Sequence, residues 1–600
     1  MHRERIVLVT LGNWLYIYIT SYLIGYYLLP RIAKQIDRDS EPEFNWCDNV
    51  IAGIVTATVY AGLFSLIGGV GLAANIIMTA FCVLIAVLCR KDLISRFRAV
   101  LPGASGRIRK KGSYFIAATG IALFVLALMF TAESSFHYDT GLYHAQAIHW
   151  IEDYGVIKGL GHIHVRLAYN SAYFPLCALY SMRFVTGGQS LHSVSGFIFA
   201  TICLYSIYGW IRALDARGSS CRASHSHIVS TCVRFAAPVY FAVCILEITS
   251  PESDYITVNL IIWILLRLVE VYEDETDGNK LSGYCLLAVC SFALVGYKLS
   301  AAVIAVITIW PLVLLIKKKN VKGIVICAVL VIAVIVPYLI RNVIICGWLV
   351  YPVDSIDLFN VPWKFTRDVL TRDAGEIGSW AKSMNVNGSG GDSLFGWIPA
   401  WWHDQFLATR MFILSMLISL PAMVISFFDG KKWFLKFLMA VITICLVFYL
   451  FKAPLIRYCY GPVLVLPLMV TGYILDRALS VLKAASENGR RPIGIVLMVL
   501  SAACVILISI PSLYSMKELI KYDYQEAEGR FSHKDYLIKQ IDYPAADVRE
   551  LDWYGYKVYL PNEGDQCWYY AFPSSPYHEC FEGNRPSPEG LSKGVEKISE

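Results

Sequence analysis

A short polar segment follows directly on a long apolar run that ends at Thr131. This segment, Glu133 to His144, has the sequence ESSFHYDTGLYH and so combines carboxylates with two histidines. Carboxylates and imidazoles can transfer protons, and both can bind a cation. Ionisable groups at a membrane surface are unusual without a functional reason. We therefore predict a site for chemistry on a membrane-bound substrate that includes His137, Asp139 and His144.

Asp139 allows two interpretations. It can cap a helix that begins near Gly141, because aspartate stabilises the first turn of a helix. The functional interpretation rests on neighbours suited to proton transfer or sugar stacking, which are His137, Tyr138, His144, Trp150, Tyr154, His162 and His164. A His-x-Asp with a third histidine also suits a divalent cation, although this spacing is not diagnostic. A divalent cation therefore stays open as an alternative, and no metal ligand or other cofactor is assigned.

The composition places these residues in a membrane protein. Of 600 residues, 56% are hydrophobic and 16% are charged, and the mean hydropathy is +0.53. Apolar runs of about 20 residues recur along most of the chain, as in membrane-spanning helices. We predict an all-α polytopic membrane protein with roughly fourteen spans. The net charge of +6 is assigned to cytoplasmic loops, so no nucleic-acid partner is expected.

The distribution of lysine and arginine predicts the orientation. The stretch Arg90 to Lys111 is strongly basic and contains the single acid Asp92, which places it in the cytoplasm under the positive-inside rule. The next helix then runs outward, and Asp139 lies on the extracytoplasmic side. The following basic loops keep this alternation if Tyr169 to Phe184 is only a juxtamembrane or re-entrant helix and Thr231 to Glu247 is a full span.

We divide the chain into three parts on this basis. Residues 1–112 hold three additional helices and the basic loop, residues 113–510 form the main membrane module, and residues 511–600 form an extracytoplasmic tail. The last span is expected at Ile493 to Ile510. Within the tail, Cys567 and Cys580 lie in a polar region and could form a disulfide in an oxidising compartment.

Further polar residues fall at the extracytoplasmic ends of predicted helices. Lys298 and Arg457 could simply extend their charged groups to the membrane interface. Arg341 lies deeper in an apolar run, where an unpartnered charge is costly, and is the stronger functional candidate. The candidate substrate-binding and phosphate-binding residues are His137, His144, Glu252, Asp254, Lys298, Arg341, Asn342, Arg457 and Tyr458.

Several stretches carry a resemblance to known proteins. They are Tyr138 to His144, Gly296 to Ser300, Arg341-Asn342 with Gly347 to Pro352, Ala453 to Tyr458, and Gly564 to Trp568 with Pro573 to Tyr577. Together they resemble a family of bacterial polytopic membrane proteins from surface-polysaccharide loci. More broadly, the order of acidic outer loops and basic inner loops, with the aromatic stretch Asn170 to Pro175 between them, is similar to that of membrane glycosyltransferases of the GT-C fold.

This resemblance implies a fold and an activity. GT-C enzymes have an extracytoplasmic active site, use a polyprenyl-phosphate-linked sugar donor, and employ an acid of the first outer loop as base, a position that Asp139 matches. In this chain Tyr138 precedes Asp139 where the family usually has a second acid. The implied protein is a glycosyltransferase of the bacterial inner membrane that assembles surface polysaccharide or glycolipid on a saccharide or lipid-linked acceptor.

Two other functions stay open at this point. A flippase or transporter for lipid-linked saccharides predicts inverted repeats and matched broken helices, and the sequence shows no such repeats. A polysaccharide polymerase uses similar lipid-linked substrates. The chain also lacks a Gly-rich phosphate loop, which argues against a cytoplasmic nucleotide donor.

Overall fold

The chain is mostly helical. The computed structural model describes residues 7–38, 44–100, 111–135, 137–216, 227–274, 280–382, 395–430, 432–488 and 540–598, with isolated positions between 499 and 517. The helices of the first part are α1 (Val7–Ile36), α2 (Trp46–Phe64), α3 (Leu72–Leu88), α4 (Arg90–Val100), α5 (Lys111–Thr131), α6 (Ala145–Asp153), α7 (Tyr173–Tyr180) and α8 (Val194–Ala216).

The second part of the chain continues the helical bundle. Its helices are α9 (Ile228–Val233), α10 (Ala236–Val243), α11 (Ser253–Glu273), α12 (Lys280–Tyr297), α13 (Ile309–Lys317), α14 (Val321–Cys346), α15 (Arg367–Lys382), α16 (Ile398–Asp404), α17 (Leu407–Phe427), α18 (Trp433–Lys452) and α19 (Ile456–Asn488). A long 3₁₀ helix, Leu299–Thr308, joins α12 to α13.

The described residues form a multi-pass membrane protein. Ten of their helical segments are long and apolar enough to cross a membrane, and the bent pair α3–α4, with an angle of 77°, could add an eleventh. This is fewer than the fourteen expected, and the predicted span Ile493 to Ile510 lies mostly outside the described residues. Helix α7 has eight residues, too short to span a membrane, in agreement with the juxtamembrane prediction.

One predicted span differs from the structure. The run Thr231 to Glu247 is broken into α9, α10 and a short 3₁₀ turn, Ile245–Thr249. The break falls at Arg234, whose guanidinium forms an ion pair with Glu270 of α11. Pro238 accounts for the break, because it has no N–H group to donate to the Arg234 carbonyl four residues earlier, and hydropathy does not include this signal.

The first three helices share a core with the rest of the bundle. Helices α1 and α2 cross at backbone contact, since a Cβ atom on Gly25 would lie 1.9 Å from the Asn49 carbonyl oxygen. Such approach through small residues is typical of membrane helices. In addition, Trp14 Nε1 donates to the Ser193 carbonyl at 3.0 Å. These helices are therefore not a separate packing unit.

The C-terminal tail folds back onto the loop that contains Asp139. We call residues 132–192 and 540–598 together the cap. Backbone N–H groups of Cys567 and Trp568 both donate to the Gly141 carbonyl at 2.8 Å, and Ile541 N–H donates to the Ala132 carbonyl at 2.7 Å. The tail and the Asp139 loop therefore lie on the same side of the helical bundle.

The tail itself contains two small antiparallel pairs of strands. Strands β1 (Val548–Trp553) and β2 (Tyr556–Pro561) form a hairpin, whereas β3 (Asn584–Pro586) and β4 (Val595–Lys597) flank a loop after the short helix α20 (Glu579–Glu582). Both Cys567 and Cys580 are free thiols, so the disulfide considered from the sequence is not formed.

Candidate functional site

A network of charged side chains forms where the cap meets the helical bundle. Its members come from the loop after α5, the start of α11, the end of α12 and the start of α19. These elements are far apart in sequence and meet at one end of the bundle. Eight of the ten predicted site residues belong to this network or touch it, and they are His137, Asp139, His144, Glu252, Asp254, Lys298, Arg457 and Tyr458.

The start of α11 fixes two carboxylates. Glu252 is the N-cap residue, and its side chain accepts hydrogen bonds from the Asp254 N–H and the Ser253 hydroxyl group, both at 3.2 Å. A carboxylate at this position satisfies a free helical N–H group and interacts favourably with the helix dipole. Both Glu252 and Asp254 are almost fully buried. The two acids thus have fixed orientations at the floor of the site.

Lys298 neutralises this floor. Its Nζ lies 2.8 Å from Asp254 Oδ1 and 4.0 Å from Glu252 Oε1, and 4.6 Å from the centre of the Tyr458 ring. Burial opposes the charge on Lys298, but the neighbouring Asp254 carboxylate raises the pKa of Lys298 above its ordinary value. Lys298 therefore forms an internal ion pair and does not simply extend to the membrane interface.

Arg457 connects the floor to Asp139. Its Nε lies 3.1 Å from Asp254 Oδ2, and its Nη2 lies 3.5 Å from Asp139 Oδ2. On the other side of Asp139, Arg166 Nη1 lies 4.0 Å from Oδ1. Asp139 is thus held between two guanidinium groups. Its side chain makes no capping hydrogen bond, so the interpretation of Asp139 as a helix cap is not supported.

The charges differ in their exposure. The side chains of Arg166, Arg457 and Lys298 are 34%, 32% and 25% exposed, whereas Asp139 is 13% exposed. Glu252 and Asp254 are each only 1% exposed. The positive groups therefore line the accessible side of the network, and most of the negative charge lies behind them. This arrangement suits an anionic ligand that approaches from the open side.

His144 packs against Glu252 beneath the network. Its Nε2 lies 3.3 Å from Glu252 Oε2, and its Nδ1 lies 3.4 Å from the Thr140 hydroxyl group. Burial lowers the pKa of His144 to about 4, so the imidazole is neutral at pH 7. Burial opposes ionisation of Glu252, but His144, Lys298 and Arg457 hold the pKa of its carboxyl group below the ordinary value.

His144 lies at the end of a π-helical turn, Thr140–His144. Such turns are rare and occur often at functional sites. The ring of His137 lies parallel to that of His144, with ring centres 6.1 Å apart and an angle of 14°. One ligand atom from each of His137, His144 and Glu252 lies within 4.8 Å of the others, so these three side chains could hold a metal ion.

Arg341 and Asn342 belong to a different network. Arg341 Nε donates to Asn170 Oδ1 at 2.9 Å, and Nη1 donates to the Ser65 hydroxyl group at 2.5 Å. Asn170 in turn donates to Asn342 Oδ1 at 2.9 Å. These partners are neutral, and they connect the end of α2, helix α14 and Asn170 of the cap. The phosphate-binding role predicted for Arg341 therefore gains no support from its contacts.

The rings of Trp150 and Tyr154, which were expected to stack on a sugar, and the side chains of His162 and His164 make contacts outside the charged network. Trp150 is fully buried and packs against Phe572, so its face is closed to a sugar, and Tyr154 packs on the same cluster. His162 makes a 3.0 Å hydrogen bond with the Trp363 carbonyl group. His164 is buried between Tyr143 and Tyr577, which lowers its pKa to about 3.

Sequence reasoning missed Arg166. It follows the two histidines His162 and His164 in the predicted outer loop, which also contains Lys158 and Arg183. Its proximity to Asp139 depends on the turn that returns the chain after α6. The available signal was a basic residue directly after two candidate histidines.

Two of the stretches that carry the family resemblance meet at the site. Tyr138 donates to Asp565, and a Cβ atom on Gly141 would lie 2.0 Å from Gln566 Oε1 and 2.8 Å from the Trp568 ring. Glycine is therefore required at position 141 for the tail to approach the loop. The stretch Gly564 to Trp568 thus forms one wall beside Asp139.

Comparison with known proteins gives one result. Searches of curated proteins and of solved structures find no match. The profile of one protein family, described as a domain of unknown function and designated DUF8201, matches residues 7–464. The matched residues include α1 to α3 and every candidate site residue from His137 to Tyr458. Because this match covers more than three quarters of the chain, the protein belongs to the DUF8201 family.

Proposed function

We propose that this protein is a GT-C-type membrane glycosyltransferase that uses a polyprenyl-phosphate-linked sugar donor at the side of the bundle covered by the cap. The observation that carries this proposal is the Asp139 carboxylate, held between Arg166 and Arg457 at the accessible edge of the charged network. This edge combines one candidate base with several cations, as transfer from a lipid phosphate requires.

The cations suit the phosphate part of the donor. Guanidinium groups bind phosphate oxygens through paired hydrogen bonds, and such bonds are stronger than those between neutral groups. Arg166 and Arg457 present partly exposed guanidinium groups, and Lys298 adds an ammonium group behind them. When the bond between the sugar and the phosphate breaks, these groups would stabilise the negative charge that develops on the departing phosphate.

An apolar cavity that includes the residue after Lys298 suits the lipid part. It lies between α12, the 3₁₀ helix and α14, has a volume of about 400 Å³, and is lined almost entirely by apolar side chains such as Val295, Leu299 and Ile335. Leu299 directly follows Lys298 in the chain. A polyprenyl chain in this cavity would therefore place its phosphate near the Lys298 ammonium group.

Asp139 would act as general base. It would take the proton of the acceptor hydroxyl group while that oxygen bonds to the anomeric carbon and the bond from this carbon to the phosphate oxygen breaks. The lipid phosphate would leave with the electron pair. General-base catalysis typically contributes about 10²–10⁴-fold to the rate. Extracytoplasmic orientation and a role in surface polysaccharide or glycolipid assembly are parts of the same proposal.

The lipid-linked pool tests this function directly. In a strain that lacks the protein, we expect a polyprenyl-phosphate sugar to accumulate and one saccharide product to lose a sugar, as measured by mass spectrometry of lipid extracts. Wild-type protein should restore the product. A pool that keeps its composition but shifts between membrane leaflets would indicate a flippase and would exclude the proposed transfer.

A further inference from the structure

His137, His144 and Glu252 form a cluster of potential metal ligands. One donor atom of each lies within 4.8 Å of the other two, and His144 and Glu252 are fully buried. Two imidazoles and one carboxylate are the ligand set of many open zinc sites, which keep a fourth position for water or substrate. Neither histidine is required by the transfer chemistry described above. The cluster therefore needs a separate explanation.

The two oxygens of Glu252 have different surroundings. Oε1 accepts hydrogen bonds from the Asp254 N–H and the Ser253 hydroxyl group and lies 4.0 Å from the Lys298 ammonium group. Oε2 points instead to His144, with 3.3 Å between Oε2 and Nε2. Helix capping and the ion pair thus occupy one oxygen and leave the other directed at the imidazole. This is the geometry expected of a carboxylate that supplies one ligand atom.

His144 is oriented through its other ring nitrogen. Nδ1 lies 3.4 Å from the Thr140 hydroxyl group, which lies 2.8 Å from the Ser250 hydroxyl group. Histidines that bind metals usually have such a partner on the second nitrogen, which fixes the ring. When Nδ1 carries the ring proton and donates to Thr140, Nε2 presents its free electron pair toward Glu252. Two electron-rich atoms 3.3 Å apart repel each other unless a proton or a cation lies between them.

The hydrogen bonds of the described residues leave this repulsion unresolved. Among the described residues, His137 Nδ1 is a buried atom without a hydrogen-bond partner, and His144 Nε2 makes no well-aligned hydrogen bond although Glu252 Oε2 lies 3.3 Å away. Buried polar atoms without partners are rare and call for an explanation such as an ion. Tetrahedral zinc sites have ligand distances of about 2.0–2.2 Å, so neighbouring ligand atoms are about 3.3–3.6 Å apart. The His144 to Glu252 distance matches this spacing.

We propose that His137, His144 and Glu252 bind one divalent transition-metal ion of the zinc class. His137 is partly exposed and can close the remaining distance by rotation of its side chain. The fourth position would be open to a water molecule or to an oxygen of a phosphate. A role of the metal ion as a Lewis acid toward the donor phosphate rests on the proposed function, whereas binding of the ion does not.

Metal content of the purified, untagged protein tests the site. After loading with Zn²⁺ and removal of free metal, we expect about one tightly bound zinc ion per chain by elemental mass spectrometry. His137→Gln removes the partly exposed ligand with the least disturbance of packing, and zinc should fall to the level of the buffer. With Co²⁺ in place of Zn²⁺, the wild type should show visible absorption bands of a low-symmetry site, and His137→Gln should not.

A matched control tests whether loss of zinc is specific to the three-ligand cluster or follows from replacement of any buried histidine. His149 Nε2 lies 3.2 Å from Asp153 Oδ2, so this pair resembles His144 and Glu252 but lies outside the three-ligand cluster. His149→Gln should keep full zinc content and the cobalt bands. Wild-type protein without bound zinc, or equal zinc in His137→Gln and wild type, would overturn the proposal.

Asp139→Asn distinguishes the two proposals. Asp139 is directed at Arg166 and Arg457 and is not among the three ligands, so this variant should retain zinc even if it loses transfer activity. If the wild-type protein binds zinc but the lipid-linked sugars are the same in strains with and without the protein, the transferase is refuted and the metal site is retained. Transfer activity in a protein that binds no zinc would refute the metal site alone.

Discussion

At the scale of single residues, the site depends on the ion pairs that Asp139 forms with Arg166 and Arg457. Arg457 contacts both Asp139 and Asp254, whereas Arg166 contacts Asp139 from the open side. A phosphate that binds between the two guanidinium groups would compete with Asp139 for them. The carboxylate would then be free to turn toward the acceptor hydroxyl group.

Arg457→Lys tests the role of the guanidinium group that contacts both Asp139 and Asp254. Lysine keeps the charge but loses the planar fork that reaches Asp139 and Asp254 together. Hydrogen bonds to charged groups contribute about 1.5–3 kcal/mol, so we expect transfer activity to fall roughly 10- to 100-fold. Arg549→Lys on strand β1, which is exposed in the tail, is the matched control. Equal activity in both variants would exclude a direct role of the Arg457 fork.

The sequence identified most of these residues for a physical reason. Charges at the ends of apolar runs were assigned to one membrane face by the alternation of basic loops, and Asp139, Glu252, Asp254, Lys298 and Arg457 do meet at one face. Arg341 was grouped with them because its depth in an apolar run suggested function. Depth does not show the partner, and Arg341 has neutral partners in Asn170 and Ser65.

At the scale of helices and loops, Arg341 connects three elements. Its hydrogen bonds join α14 to the end of α2 and to Asn170 of the cap. We expect Arg341→Ala to lower thermal stability in detergent, because each buried partner left unsatisfied costs about 1–3 kcal/mol. Lys322→Ala, at the exposed other end of α14, should have little effect. Unchanged melting of Arg341→Ala together with lost activity would instead favour the phosphate-binding role.

Gly141 controls the contact between the Asp139 loop and the tail. Gly141→Ala would place a methyl group 2.0 Å from Gln566 Oε1 and 2.8 Å from the Trp568 ring. We expect faster hydrogen exchange in residues 540–598, measured by mass spectrometry. Gly375→Ala, where a methyl group meets no atom within 4 Å, is the control and should leave exchange unchanged. Identical exchange in the two variants would contradict the close approach.

Element prediction from the sequence succeeded where the sequence itself contains the signal. The short helix α7 agrees with the prediction from the alternation of basic loops, and the glycines Gly68, Gly69 and Gly71 favour the break that separates α2 from α3. The break between α9 and α10 follows from Pro238, a local signal that hydropathy does not include. The π-helical turn before α6 contacts the tail through the Gly141 carbonyl, and the local sequence contains no information about such a distant partner.

At the scale of the whole molecule, the cap joins the Asp139 loop to the tail, and buried histidines lie between these two parts of the cap. Burial lowers the pKa of His192 to about 4 and that of His164 to about 3. An unfolded histidine has a pKa near 6.5, so the unfolded state binds more protons between pH 6.5 and about 4. The contribution of these two histidines to the free energy of unfolding of the cap is therefore fully present above this window and is lost as the pH falls through it.

Hydrogen exchange of the tail measures this effect. After correction for the intrinsic pH dependence of exchange, residues 540–598 should exchange faster at pH 5 than at pH 7, and His192→Asn should reduce this difference. The His192 ring packs 4.9 Å from that of Tyr543, so its protonation acts directly on the contact between loop and tail. A tail with equal protection at both pH values would contradict the buried neutral state of these histidines.

The most direct test of the central claim is the activity of Asp139→Asn. Asparagine keeps the size of the side chain and hydrogen-bonding capacity but cannot accept the proton of the acceptor hydroxyl group. The variant is expressed in a strain that lacks the wild-type protein, at matched membrane expression. Asp139→Asn should lower the rate of formation of the glycosylated product by about 10²–10⁴-fold, and the lipid-linked donor should accumulate. Glu550→Gln, an exposed carboxylate on the cap hairpin, should restore normal product. Product formation by Asp139→Asn at the wild-type level would contradict its assignment as the catalytic base.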